Sequence, residues 1–260
     1  MKRTSLTHFQ QEVLEQLIAE HGLIVTTQEV IGKLSFATEE SKYRFVSQLS
    51  EAGWLVRIRH GLYQIADVSS LGTLTLSRYT IAHLLHPESY VSFEAALQFH
   101  GLFDQSLKSV SSVTTRSRSS SDVQGICYRF IKTQESSYFG FASETFDGRR
   151  VQIAHIEKAM IDLMQFRRSD ATVDLVAEIL RESLHSINLD QLTEFVLRSP
   201  VAVQRVIGFL LSTLDQENAV LKQSVQHSQS VTKLTNTSSQ YSGAWRLYYD
   251  PYFVRRTEPA

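Results

Sequence analysis

Cysteine is the first scarcity in this 260-residue chain: Cys127 stands alone. One thiol rules out an internal disulfide and a cysteine zinc cluster, which favours a reducing compartment. Cys127 itself reads as a small core residue, since nothing basic in the sequence is tuned to activate it. Long apolar runs are missing too. No stretch approaches the ~18 apolar residues of a membrane span, and MKRTSLTHFQQEVLEQL follows two basic residues with a polar, helical pattern in place of a signal peptide's apolar stretch. These absences point to a soluble, cytoplasmic protein with no membrane partner. Charge of one sign is the third absence. Lys and Arg number 26 against 27 Asp and Glu, so attraction to a polyanion has to come from local clustering and not from bulk charge. No internal repeat is present. What the chain does have is apolar side chain, 42% of its residues, enough over this length for the cores of two domains.

From Phe9 the apolar positions Phe9, Val13, Leu14, Leu17 and Ile18 recur at helical spacing, and Gly22 stands where a carboxyl-terminal cap is expected. Thr26 and Thr27 precede QEVIGKL, the pattern of a short capped second helix. After the turn SFAT, Thr38 caps a third helix, EESKYRFVSQLSEA, closed by Gly53. The pattern then changes to alternation in WLVRIRHGLYQI, with HG at the tip of a hairpin. Three helices and a hairpin are the order of a winged helix-turn-helix. The expected fold is α+β, with this winged domain over 1–68 and a mixed α/β domain over 70–260. In the second region TLSRYTIAHLLHP reads as a helix ended by Pro87, and SYVSFEAALQFHGL as a strand residue or two followed by a helix. SVSSVTTRSRSS and GICYRFIK read as strands around a serine-rich basic loop, and FDGRRVQIAHIEKAMIDLMQF as a turn, a strand and a helix. Two amphipathic helices are expected over 172–198 and another after Pro200. QHSQSVTKLTNTSSQYSG is polar loop with a short strand, and WRLYYDPYF is aromatic enough to pack back on the domain.

If Phe45, Leu49 and Ala52 of the third helix face the core, Tyr43, Arg44 and Ser47 lie opposite with Glu40 and Glu51, and Lys42 and Gln48 on the flanks. Such a face has donors for base edges and phosphates. A plain solvated helix face is the alternative, and its glutamates favour it. The wing tips the balance: Arg57 and Arg59 alternating on one face, beside His60, suit the DNA backbone or minor groove. Trp54, Leu62 and Tyr63 are expected to pack the wing against the first and third helices. Arg116 and Arg118 in the serine-rich loop are a possible secondary polyanion contact.

No catalytic constellation stands out. HIEKA at His155 lacks the spacing and second histidine of a zinc helix. Glu157 and Lys158 are neighbours on a helix, which does not suit the strand-borne pair of a nuclease. No phosphate loop or serine elbow is present. His100 reads as a helix-end residue and Asp162, set among apolar neighbours, as a buried polar anchor. The expectation is a non-enzyme with no metal and no cofactor. The alternatives are a stand-alone transcriptional regulator without a toxin, and a DNA-binding nuclease.

WLVRIRHGLYQI, YVSFEAALQFHGL, SVTTRSRSS leading to GICYRFIK, GRRVQIAHIEKAMIDLM, and VQRVIGFLLSTL with a late LYYDP occur in an order that resembles the AbiEi family of antitoxins, from type IV, abortive-infection toxin–antitoxin systems. The resemblance implies an amino-terminal winged helix that binds inverted repeats in the promoter of its own operon and represses it. It also implies a carboxyl-terminal α/β domain that counters a cognate nucleotidyltransferase-like toxin without a stable complex.

Overall fold

The computed structural model describes residues 5–35 and 38–251. Part of the expected SFAT turn, and Tyr252 and Phe253 of the aromatic segment, lie outside the described residues. The first domain runs α1 (His8–His21), β1 (Ile24–Thr26), α2 (Thr27–Gly32), α3 (Glu39–Glu51), β2 (Leu55–Arg59) and β3 (Leu62–Ile65). Each helix starts at a threonine whose hydroxyl accepts a backbone N–H three residues on: Thr7 from Gln10, Thr26 from Glu29 and Thr38 from Ser41. Such caps satisfy donors that the first helical turn leaves unpaired. At α2 the Glu29 carboxylate returns to the Thr26 N–H at 2.6 Å, and this bond holds its pKa below the usual carboxylate value. Gly22, at φ +75°, ends α1 in the conformation only glycine adopts readily.

The strands form a sheet in the order β1-β3-β2. β1 is three residues long, too short to show periodicity in the sequence. Its pairing with β3 makes β3 the central strand, and all four residues of β3 are buried. The two faces of the hairpin meet different partners. Trp54, Leu55, Tyr63 and Ile65 join Val13, Leu17, Phe45 and Leu49 in the core of the first domain. Ile58 and Leu62 instead enter the larger core of the second. The expectation that Leu62 packs beside Trp54 and Tyr63 is therefore corrected: in a strand, neighbours 62 and 63 point to opposite faces. The chain beyond the wing is tied back as well. Gln64 Oε1 accepts from the Thr75 N–H at 3.1 Å, and the Gly72 N–H donates to Gly53 O at 3.0 Å. A Cβ on Gly53 would come within 3.0 Å of Gly72 N.

The second domain follows as α4 (Arg78–Leu85), β4 (Tyr90–Val91), α5 (Phe93–Phe99), β5 (Ser109–Thr114), β6 (Ser121–Val123), β7 (Ile126–Lys132), β8 (Phe141–Phe146), β9 (Arg149–Ala154), α6 (Ile156–Phe166), α7 (Asp170–Glu182), α8 (Leu189–Leu197), α9 (Val201–Ser212), α10 (Ala219–Gln226), β10 (Thr232–Lys233), β11 (Gln240–Ser242) and β12 (Leu247–Tyr249). Six strands make a mixed sheet in the order β6-β7-β5-β4-β9-β8, in which β5 runs parallel to β7 and β4 to β9. α6 and α9 are buried along most of their length. Trp245 packs over Gly208 of α9, where a Cβ would overlap its ring, and its indole N–H donates to Ser212 Oγ at 3.1 Å. The tail thus folds back as its aromatic content implies. Cys127 is half-buried on β7, not a core residue.

Candidate nucleic-acid interface

α3 buries Phe45, Val46 and Leu49, which turns Tyr43, Arg44, Ser47 and Gln48 outward. Tyr43 is 49% exposed. A groove of about 410 Å³ runs between this face and the wing, lined by Tyr43, Val46 and Ser47 on one side and by Arg57, His60, Gly61 and Tyr63 on the other. Thr26, Thr27 and Gln28 at the start of α2 complete its lining. These three went unnoticed in the sequence as groove residues. The β1–β3 pairing brings them there, and the Thr27 N–H donates to Gly61 O at the hairpin tip at 3.0 Å. Arg57 pairs across the hairpin with Tyr63 and lies 5.9 Å from that ring's centroid, so its guanidinium shares the groove-side face.

The other basic residues are placed less uniformly. Lys42 Nζ lies 2.8 Å from Glu39 Oε1, with 20% of its side chain exposed, which draws it toward the start of α3. Arg44 reaches Glu40 only at 3.5 Å, and both side chains are largely exposed, so this pair is weak and easily exchanged for another anion. The expectation that Arg57 and Arg59 share a face is not met. A bulge between them sets Arg57 opposite Tyr63 but Arg59 opposite Leu62, and these two partners face opposite ways. Arg59 donates from Nε to Leu84 O of α4 at 3.2 Å. In the serine-rich loop Arg116 is exposed, whereas Arg118 is only half-exposed and binds Glu88, with Nε 2.6 Å from Oε1. The two do not form a free cationic pair.

In the second domain ionisable side chains form internal networks. Asp162, fully buried, accepts from Lys158, from Tyr90 Oη at 3.1 Å and from Ser92 Oγ at 2.6 Å. Burial next to that carboxylate pushes the Tyr90 phenol far up. Arg205, also buried, donates to Ser230 Oγ at 2.9 Å and Ser228 O at 3.0 Å. His100 caps α5 and places Nε2 2.8 Å from Ala154 O. Among the described residues no three His, Cys, Asp or Glu side chains converge as a metal-ligand set, and no helix is long and apolar enough to cross a membrane.

No curated protein matches the chain in sequence. The crystal structure of the RV2827C protein from Mycobacterium tuberculosis is similar in fold, with a TM-score of 0.66 and 12% identity over 97% of this chain and 95% of that one. Residues 12–66, from within α1 to just past β3, match the family described as transcriptional regulator, AbiEi antitoxin.

Proposed function

We propose that the chain is the cytoplasmic antitoxin and autorepressor of a type IV toxin–antitoxin operon, and that the groove between α3 and the wing receives double-stranded DNA carrying inverted repeats from its own promoter. Tyr43, Arg44 and Ser47 face the major groove with Lys42 at their flank, while Arg57 and His60 hold the phosphate backbone. The observation that carries this reading is the convergence of exposed donors from α3 and the wing on one concave surface, within the segment that matches a transcriptional regulator. The second domain, in this reading, counters a nucleotidyltransferase-like toxin without forming a stable complex. The chain carries out no catalytic step and uses no metal or cofactor. We place the division of labour at the linker, with repression in 1–68 and antitoxicity in 70–260.

A shift assay on the promoter duplex at several salt concentrations tests the DNA part. Arg57→Ala is expected to reduce the slope of log K against log salt by roughly 0.9, the contribution of one phosphate contact. Ser47→Ala is expected to cost about 1 kcal/mol or more on the cognate site and little on unrelated duplex. An unchanged slope for Arg57→Ala contradicts the assignment. For the antitoxin part, the adjoining reading frame should encode a nucleotidyltransferase. Co-expression of that enzyme with the full chain, from an unrelated promoter, should restore growth, and the Arg57→Ala variant should protect equally well.

A further inference from the structure

We propose that the second domain sets the position of the wing, with Arg59 as the positioning residue, so that DNA affinity depends on a contact that never touches DNA. The inference rests on the groove being the DNA-binding surface. It begins with the bulge in β2, which turns Arg59 away from Arg57 and toward α4. Arg59 Nε donates to Leu84 O, one of the last carbonyls of α4, which have no partner within their own helix. A guanidinium at this end also meets the negative end of the helix dipole. Beside it Ile58 and Leu62, 2% and 7% exposed, are buried in the second domain's core. The contact continues past α4. His86 stacks edge-on against Phe130 with centroids 4.3 Å apart, and Arg118 is bound to Glu88 on the neighbouring loop.

A two-stranded ribbon alone is marginally stable in water. This one has β1 along one edge and, among the described residues, no strand beyond β2, so the tip from Arg59 to Gly61, tied to α2 by the Thr27 N–H on Gly61 O, depends also on what its far face rests on. Seated on α4, that face is fixed, and Arg57 and His60 are held on the groove side facing α3. A preorganised wing loses less freedom when it binds, so the seat raises affinity without adding a contact to DNA. By reciprocity, DNA bound in the groove strengthens the seat by the same factor as the seat strengthens DNA binding.

The test uses the full chain and a fluorescent duplex covering the DNA upstream of its reading frame, titrated at several salt concentrations, with amide hydrogen exchange measured in parallel. Arg59→Ala is expected to weaken binding by about tenfold, the scale of one charge-assisted hydrogen bond, with the salt slope unchanged. Exchange in Leu62–Ile65 should quicken while that in α1 stays the same. Arg59→Lys, which keeps a cation at the end of α4, should restore the protection. Ile58→Ala should behave as Arg59→Ala does. Arg57→Ala should do the reverse, lowering the slope with hairpin protection intact. If Arg59→Ala lowers the slope as Arg57→Ala does and leaves exchange unchanged, Arg59 is a phosphate ligand and the proposal is overturned. It is also overturned if Arg59→Ala and Ile58→Ala both bind as the wild type does. Failure of the wild-type chain to bind the duplex would sink the DNA reading, while the exchange comparison would still decide whether Arg59 and Ile58 hold the hairpin.

Discussion

Among the described residues, the second domain buries charged side chains and the first does not. From α1 through β3 every described Asp, Glu, Lys, Arg and His side chain is at least partly exposed, Lys33 and Lys42 being among the most sheltered. In the second domain Glu157, Lys158, Asp162 and Arg205 are buried. Exposed charge contributes little to stability and remains available to a partner. Buried charge is bound to internal partners and serves mainly to fix one arrangement of the core. The contrast teaches that near-neutral overall charge conceals a division: the first domain presents its charge outward, while the second, beside its own exposed charges, holds a few deep within the fold.

The largest effect should come from breaking a buried pair. Lys158→Met leaves Asp162 in the core without its cation and should destabilise the chain by about 3–5 kcal/mol in denaturant unfolding. A loss below about 1 kcal/mol would mean that the second domain's charges are no more structural than those of the first. Trp54→Ala removes a large side chain from the first domain's core and should cost about 3 kcal/mol. An unchanged melting curve would remove the main support for the wing's packing. Gly208→Ala should cost about 1–3 kcal/mol by displacing Trp245 from α9. In contrast, Arg44→Ala should change stability by no more than about 0.5 kcal/mol, yet weaken DNA binding, the signature of charge kept for a partner.

The smallest effect concerns pH. Burial holds the imidazoles of His83 and His86 below their ordinary pKa of 6.5, with Arg149 acting in the same direction on His83. The Glu88 carboxylate opposes the shift at His86, while Arg118 and Arg59 reinforce it. Below pH 6.5 the unfolded chain therefore binds more protons than the folded one. Stability present above that value should decline as pH falls through the window. His86→Gln should flatten part of that decline in melting temperature between pH 7 and 5, and an identical profile would remove His86 as a contributor.

The helices of the first domain were legible because their signals are local: Thr26 and Thr38 cap, Gly22 and Gly53 stop, and apolar spacing does the rest. β1 was not, because three residues carry no period. The fate of Arg59 was hidden for a different reason, since the bulge is a property of how β2 pairs with β3 and leaves no mark in the order of residues. In the second domain, Asp162 among apolar neighbours signalled a buried polar group. Its spacing from Lys158 fits one helix face, but Tyr90 and Ser92 come from 70 or more residues away and only the fold brings them in. Of the groove, the α3 side followed from helical geometry and the wing side from alternation. The part of the lining at Thr26–Gln28 needed the sheet.

The central claim is that the surface between α3 and the wing is where DNA lies. Amide hydrogen exchange of the full chain with and without its promoter duplex tests this most directly. The account predicts slowed exchange in Thr27–Gln28, on the outer face of Glu39–Glu51 and across Arg57–Gly61, with α7 through α10 unchanged. Protection confined to the second domain, with α3 and the wing exchanging as in the free protein, would contradict it.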